Sequence, residues 1–183
     1  MGLGALAGPL YVGAVVLQEG DAIRGVRDSK KLREATRAKL VPRIDKRSVY
    51  WLMARSSSKM IDEYGVARCT EACMKWVARL CLQQFPDARV IVDGNKLIPG
   101  IPRKKQQAVV KADATVPAVS AASVLAKYHR DEYMIKLAEK WPLYDFQQHK
   151  GYGTAIHLSN LNEYGPCPEH RRSYRPVKEA AKR

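Results

Sequence analysis

Two aspartates stand where acidic side chains can work beside a strand end. Asp93 closes the β-branched run Val90-Ile91-Val92 and is followed by the turn signal Gly94-Asn95. Asp113 lies in Val110-Lys111-Ala112-Asp113-Ala114-Thr115-Val116-Pro117, at the junction between a short apolar strand pattern and a long helix rich in small residues. A carboxylate at such a junction can reach a divalent metal ion, and clustered carboxylates are the hard oxygen ligands that magnesium and manganese take. Each aspartate also has an ordinary structural reading, because Asp-Gly forms turns and an aspartate ahead of a helix caps it. Asp131, inside the helix after Arg130, suits ion pairing or support of neighbouring ligands better than direct ligation.

Other reactive residue types carry different chemistry. Tyr152, between Gly151 and Gly153, offers an aromatic face and a hydroxyl in a turn that another backbone can approach closely. His149 and His170 have no serine or cysteine beside them in triad order, so acyl-transfer hydrolysis is not supported and hydrogen bonding is their expected role. Cys69 and Cys73 are four apart in a helical pattern with Trp76 and read as buried thiols, with Trp76 in the core. Cys167-Pro168-Glu169-His170 has zinc-like spacing without a second ligand pair nearby, so structural zinc is not expected.

The elements that must position these residues alternate between strand and helix. Leu10 to Leu17 is a nearly continuous apolar run and reads as a buried strand. A helical stretch after Leu32 is expected to be broken or ended at Pro42, which lacks the donor that a helix interior needs. Val49 to Ala54 reads as a strand, Ser56-Ser57-Ser58 as a polar break, and Ile61 to Phe85 as one helix. The segment from Lys96 to Lys105 is a basic loop, able to touch a nucleic-acid backbone or simply to be solvated. Ala108 to Lys111 forms a short strand, and the helix after Pro117 can lay Ala118, Ala121, Ala122 and Ala126 against a sheet. This alternation predicts an α/β domain with a mixed central sheet.

Composition narrows the partners. At 183 residues and 46% apolar, the chain can bury a substantial core and favours one compact unit. A net charge of +14 raises the local concentration of polyanions and points to nucleic acid, the alternative being a solvated basic surface. No apolar run is long enough to span a bilayer, the opening residues lack the basic flank of a secretory signal, and Leu6 does not fit a myristoylation signal. A cytoplasmic protein in a reducing compartment is expected.

The Val110–Lys127 stretch with Arg130-Asp131, the Asp93-Gly94 turn, His149-Lys150-Gly151-Tyr152-Gly153-Thr154, and Tyr164-Gly165-Pro166-Cys167-Pro168-Glu169-His170-Arg171-Arg172-Ser173 together closely resemble the type 2 ribonucleases H, the ribonuclease HII family. The same order of motifs runs from Gly2 to about Val177. Asp28-Ser29-Lys30-Lys31-Leu32 matches a further family motif beside the substrate path, although an N-cap with exposed lysines is its local alternative. The match departs at the start. The family opens with a strand ending in Asp-Glu, any residue, Gly-Arg-Gly; here Gly2 and Gly4 align with the glycines, Leu3 replaces the arginine, and Met1 falls at the variable position.

The resemblance implies the ribonuclease H fold over residues 1–140, with a helical C-terminal extension over 141–183 packed on it as one unit, and a first strand missing or supplied otherwise. It implies endonucleolytic hydrolysis of RNA in RNA–DNA hybrids and at ribonucleotides embedded in duplex DNA, by water attacking in line while two Mg2+ or Mn2+ ions stabilise nucleophile and leaving group. Asp93 and Asp113 match the family's later two metal ligands, with Asp131 in a supporting position. Gly2, Gly4, Ser29, Lys30, Lys150, Gly151 and Tyr152 match its nucleic-acid-binding positions, Tyr152 being the residue that stacks at the RNA–DNA junction. With two of four carboxylates absent, the chain is expected to be inactive, as a shortened form whose start is set too far downstream. The alternative is a descendant that lost catalysis and remains a nucleic-acid-binding protein, including as a structural part of a larger ribonucleoprotein.

Overall fold

Val90-Ile91-Val92 and the Gln106–Val109 segment supply short β-favouring runs, and they pair in parallel, Val90 opposite Gln106 through Asp93 opposite Val109. In chain order the elements are β1 (Leu10–Val16), α1 (Glu34–Arg47), β2 (Tyr50–Ser56), α2 (Ser58–Tyr64), α3 (Val66–Gln84), β3 (Val90–Asp93), β4 (Gln106–Val109), α4 (Ala112–Thr115), α5 (Pro117–Lys140), α6 (Phe146–His149), α7 (Ala155–Tyr164) and α8 (Arg175–Ala180). The computed structural model describes residues 1–26 and 32–182; Ser29 and Lys30, with the rest of Asp28–Lys31, lie outside the described residues. Among the described residues the sheet content is two two-stranded pieces, β1 with β2 and β3 with β4, so the expected α/β class holds with small sheets and abundant helix.

The chain divides into two compact units, residues 1–10, 55–70 and 129–183 in one and residues 11–54 and 71–128 in the other. In the second unit, Leu40, Ile44, Ala121, Val124 and Leu125 form a buried apolar cluster against which Val15, Trp51 and Met53 pack. α1 does not stop at Pro42, contrary to expectation, and runs on to Arg47. Leu40 and Ile44, on either side of the proline, are both buried, and that burial offsets a proline cost of about 3 kcal/mol. β1 is less buried than its apolar run suggests, with only Leu10 and Tyr11 fully covered. A Cβ on Gly13 would come within 2.7 Å of the Ala122 carbonyl, so strand and helix approach as closely as the small residues of α5 allow.

A second cluster, Ala78, Val92, Ile98 and Ile101, sits beneath β3. The buried Gln106 carboxamide accepts from Ile98 N and donates to the carbonyls of Ile98 and Ile101, which pins the basic loop between β3 and β4 from inside. The expected single helix from Ile61 to Phe85 is two, because Gly65 at φ 81° ends α2 before α3 begins. Ser57 caps α2 by accepting from Met60 N. Cys69, Cys73, Val77 and Cys81 line the buried stripe of α3, whereas Trp76 is 52% exposed and not in the core.

In the first unit, Ala7, Met134, Leu137, Tyr144, Phe146 and Cys167 form one buried cluster, and Leu6, Leu161, Val177 and Ala180 another. The Asp62 carboxylate accepts from Arg172 N, Ser173 N and the Ser173 hydroxyl, fixing the segment ahead of α8. No helix among the described residues is long and apolar enough to cross a membrane.

Candidate carboxylate pair and nucleic-acid interface

The parallel register of β3 and β4 brings Asp93 next to the turn that leads into Asp113. Asp93 ends β3 opposite Val109, and the chain leaves β4 through Lys111, which is left-handed at φ 58° and turns Ala112 back toward β3. There Ala112 N donates to Asp93 Oδ1 at 3.0 Å. Asp113 follows immediately, in the first turn of α4 rather than at the strand end, and is 7% exposed, whereas Asp93 is exposed. Ser120 Oγ donates to the Asp113 carbonyl at 2.7 Å, tying α4 to the first turns of α5. A left-handed lysine costs about 1–2 kcal/mol, and this turn is the one that sets Ala112 N, immediately before Asp113, on Asp93.

These two carboxylates fit a divalent ion only in part. Among the described residues no group of three or more His, Cys, Asp or Glu side chains is placed to hold one. Magnesium takes a near-octahedral oxygen set and a two-ion site needs bridging carboxylates, so no hydrolytic step follows from Asp93 and Asp113 alone. Asp131 is 2% exposed and belongs to the other unit, on the second half of α5.

That other unit gathers the expected nucleic-acid-binding residues other than Ser29 and Lys30. The N-terminal turn carries Gly2 at φ 84°, with Leu3 and Gly4 exposed and open space above Gly4. Arg171, 0% exposed, holds this turn from below: Nη2 donates to Gly2 O at 2.7 Å and Gly8 O at 2.9 Å, Nε to Gly8 O at 3.0 Å, and Nη1 to Leu3 O at 2.9 Å. Arg130, also 0% exposed, donates through Nε to Pro9 O at 3.0 Å, and its guanidinium carbon lies 5.2 Å from the centre of the Tyr152 ring. A side chain on Gly2 would run into that guanidinium.

Tyr152 is 37% exposed at the tip of a turn built by Lys150 at φ 52° and Gly151 at φ 80°. Leu6 N and Ala7 N both donate to Gly151 O, and a Cβ on Gly151 would lie 2.5 Å from Ala7 O, so the close backbone approach expected of this glycine is an internal one. Lys150 is 8% exposed and donates to Gln147 O at 2.5 Å, turning its ammonium toward its own helix. Beneath the turn lie three histidines, with His149 and His157 stacked at 4.3 Å and His157 Nε2 3.0 Å from His170 Nε2. Burial lowers all three, His157 to about 4 and His170 to about 3, and raises the Cys167 thiol to about 11. His170 Nδ1 lies 3.1 Å from Cys167 Sγ, an internal contact for the pair whose spacing is zinc-like.

The sequence reading gave no role to Arg130, Arg171 or His157. A fully buried arginine has no periodicity signature; the only signal is a cation inside otherwise apolar or turn-forming segments.

The chain matches the family model for ribonuclease HII over residues 1–177. It is 45% identical over 177 residues to a ribonuclease HII of Bordetella avium, covering 97% of this chain and 86% of that protein. Among solved structures it resembles ribonuclease H2 from Pyrococcus horikoshii OT3, at 25% identity and a TM-score of 0.76 over 100% of this chain and 94% of the other. It also resembles the Archaeoglobus fulgidus ribonuclease HII solved in complex with PCNA, at 27% identity and a TM-score of 0.74 over 94% and 89%.

Proposed function

Because the chain belongs to the ribonuclease HII family, we propose that its residues are organised for endonucleolytic cleavage of RNA paired with DNA, including single ribonucleotides within duplex DNA, with Mg2+ or Mn2+ as the working ion. The observation that carries this reading is the bond from Ala112 N to Asp93 Oδ1, which ties the Asp93 carboxylate to the backbone of the residue immediately before Asp113. An ion bound there would polarise the scissile phosphate, and these two side chains would contribute part of its oxygen shell. Asp131 is proposed as a supporting residue on the motif alone.

The substrate side of the reading rests on the other unit. The turn of Gly2 and Gly4, open above Gly4, offers a surface against which a sugar–phosphate backbone can lie, and Tyr152 presents a ring face and hydroxyl to the sugar at an RNA–DNA junction. Lys150 and Gly151 serve that surface through backbone conformation. Ser29 and Lys30 are proposed as phosphate contacts on the motif alone. The +14 charge supplies long-range attraction.

We further propose that the 183 residues by themselves do not turn over, since Asp93 and Asp113 provide too few oxygens for two ions. A second reading is a noncatalytic nucleic-acid-binding protein, in keeping with there being no group of three or more metal-ligating side chains among the described residues. Cleavage of a duplex containing one ribonucleotide, measured in magnesium and in manganese, tests both. The first reading expects no cleavage by the 183-residue chain, cleavage by a chain extended upstream with a strand ending in Asp-Glu, and loss of that activity in extended D93N and D113N with hybrid binding retained. An extended chain that binds hybrid without cleaving it would favour the second reading, and cleavage by the 183-residue chain would overturn the ligand count.

A further inference from the structure

The histidines under the Tyr152 turn are wired in one direction. Cys167 N–H donates to His170 Nδ1 at 3.1 Å, and a backbone amide can only donate, so His170 Nδ1 carries no proton. His170 in its neutral form is then protonated at Nε2, 3.0 Å from His157 Nε2, which must accept. The proton of neutral His157 is left at Nδ1, 2.9 Å from the Tyr152 carbonyl. His149 is fixed in the same way: Gly151 N–H donates to its Nδ1 at 3.2 Å, leaving Nε2–H to donate to Tyr144 O at 2.7 Å.

The far end of this wiring is the backbone of Tyr152. Its N–H donates to His149 O at 3.0 Å, and its carbonyl accepts from Thr154 N at 2.8 Å as well as from His157. Thr154 Oγ1 in turn accepts from His157 N, so side chain and backbone of His157 grip the same turn. The rings are closed in by Phe146 and Tyr144. The charged and titratable groups acting on them are Asp145 and Lys150 at His149, Arg172 at His170, and the Cys167 thiol, on which Glu169 acts in turn. A proton added to either His157 or His170 ends by placing an N–H against the Cys167 amide, so the relay exists only with both rings neutral.

From this geometry we infer that His157 is a positioning residue for ribonucleotide recognition: its Nδ1–H, oriented by His170, holds the Tyr152 carbonyl and thereby aims the tyrosine ring at the sugar it reads. The inference rests on the proposed role of Tyr152. A ring on a glycine-flanked turn has wide freedom, and Arg130 supports it from the side of the ring while the relay fixes the backbone from which it projects.

The test uses the full 183-residue chain, without divalent ions, and two labelled duplexes that differ only in one ribonucleotide. The readout is the ratio of their dissociation constants. The parent should prefer the ribonucleotide by roughly fivefold or more, the lower end of what one stacking face contributes, and Y152A should abolish the preference. H157N keeps a donor at the Nδ1 place and should retain the preference within about twofold, whereas H157Q, whose amide falls at the Nε2 place, should lose most of it. Imidazole 15N spectra of the parent should show His157 protonated at Nδ1, His170 and His149 at Nε2, and a coupling across the His157–His170 hydrogen bond. Loss in Y152A with equal preferences in H157N and H157Q would overturn the positioning role alone. An unchanged ratio in Y152A would overturn the reading of Tyr152 and the inference with it, and a His157 protonated at Nε2 would overturn the relay whatever the binding data.

Discussion

Replacing Arg171 with methionine should be among the most damaging single changes outside the apolar core. Arg171 is fully buried and makes five donor contacts, four to the carbonyls of Gly2, Leu3 and Gly8 and one to the Tyr174 hydroxyl. Methionine fills the same volume without a donor. Leu3 O keeps the Tyr174 hydroxyl at 2.7 Å, but Gly2 O and Gly8 O lose the guanidinium donors. A buried acceptor left without a donor costs about 1–3 kcal/mol, hence about 2–6 kcal/mol for the two. Relief of the guanidinium's own desolvation, which lowers its pKa, offsets part of this and leaves about 1–4 kcal/mol. For a chain of this length that corresponds to a fall in Tm of roughly 3–15 °C. Thermal and urea melts at pH 7 would measure it, with R175M as the control: Arg175 pairs with Glu179 at 2.8 Å, but its side chain is 88% exposed, and its loss should leave the melt unchanged. If R171M melts with the parent and with R175M, the reasoning about the glycine turn is wrong.

Three further outcomes are expected. Hybrid binding by the chain should weaken with a log–log salt slope of several units, about 0.9 for each phosphate neutralised, and a nearly flat dependence in a salt titration would argue against a nucleic-acid partner. Burial holds His129, His149, His157 and His170 below the ordinary value of 6.5, the last two to about 4 and about 3; the unfolded chain therefore binds more protons below pH 6.5, so stability is fully present above that pH and lost as pH falls toward 4 and 3. A urea midpoint that stays constant between pH 7 and pH 5 would contradict this, because carboxylates contribute little in that window. G151A should destabilise by about 2–4 kcal/mol, combining a left-handed alanine with overpacking against Ala7 O, and a melt within 1 kcal/mol of the parent would show that the turn can shift freely.

What the sequence determines on its own is local or compositional. The β-branched run before Asp93-Gly94 and the apolar positions of α3 and α5 set strand and helix type through backbone sterics and periodicity, and the charge excess points to a polyanion without reference to any fold. The motif order was legible because spacing along a chain survives in the sequence. Pro42 inside α1 and the exposed Trp76 were not legible, since a penalty or a ring on a helix face is judged only against what packs there. Tertiary structure alone decided that Lys111 adopts a left-handed turn placing Ala112 N on Asp93, that Arg171 spans from residue 171 to the carbonyls of Gly2, Leu3 and Gly8, and that three histidines come together beneath Tyr152. Each of these depends on contacts between residues far apart in sequence and on the low dielectric that burial creates, and neither quantity is a property of any short stretch of chain.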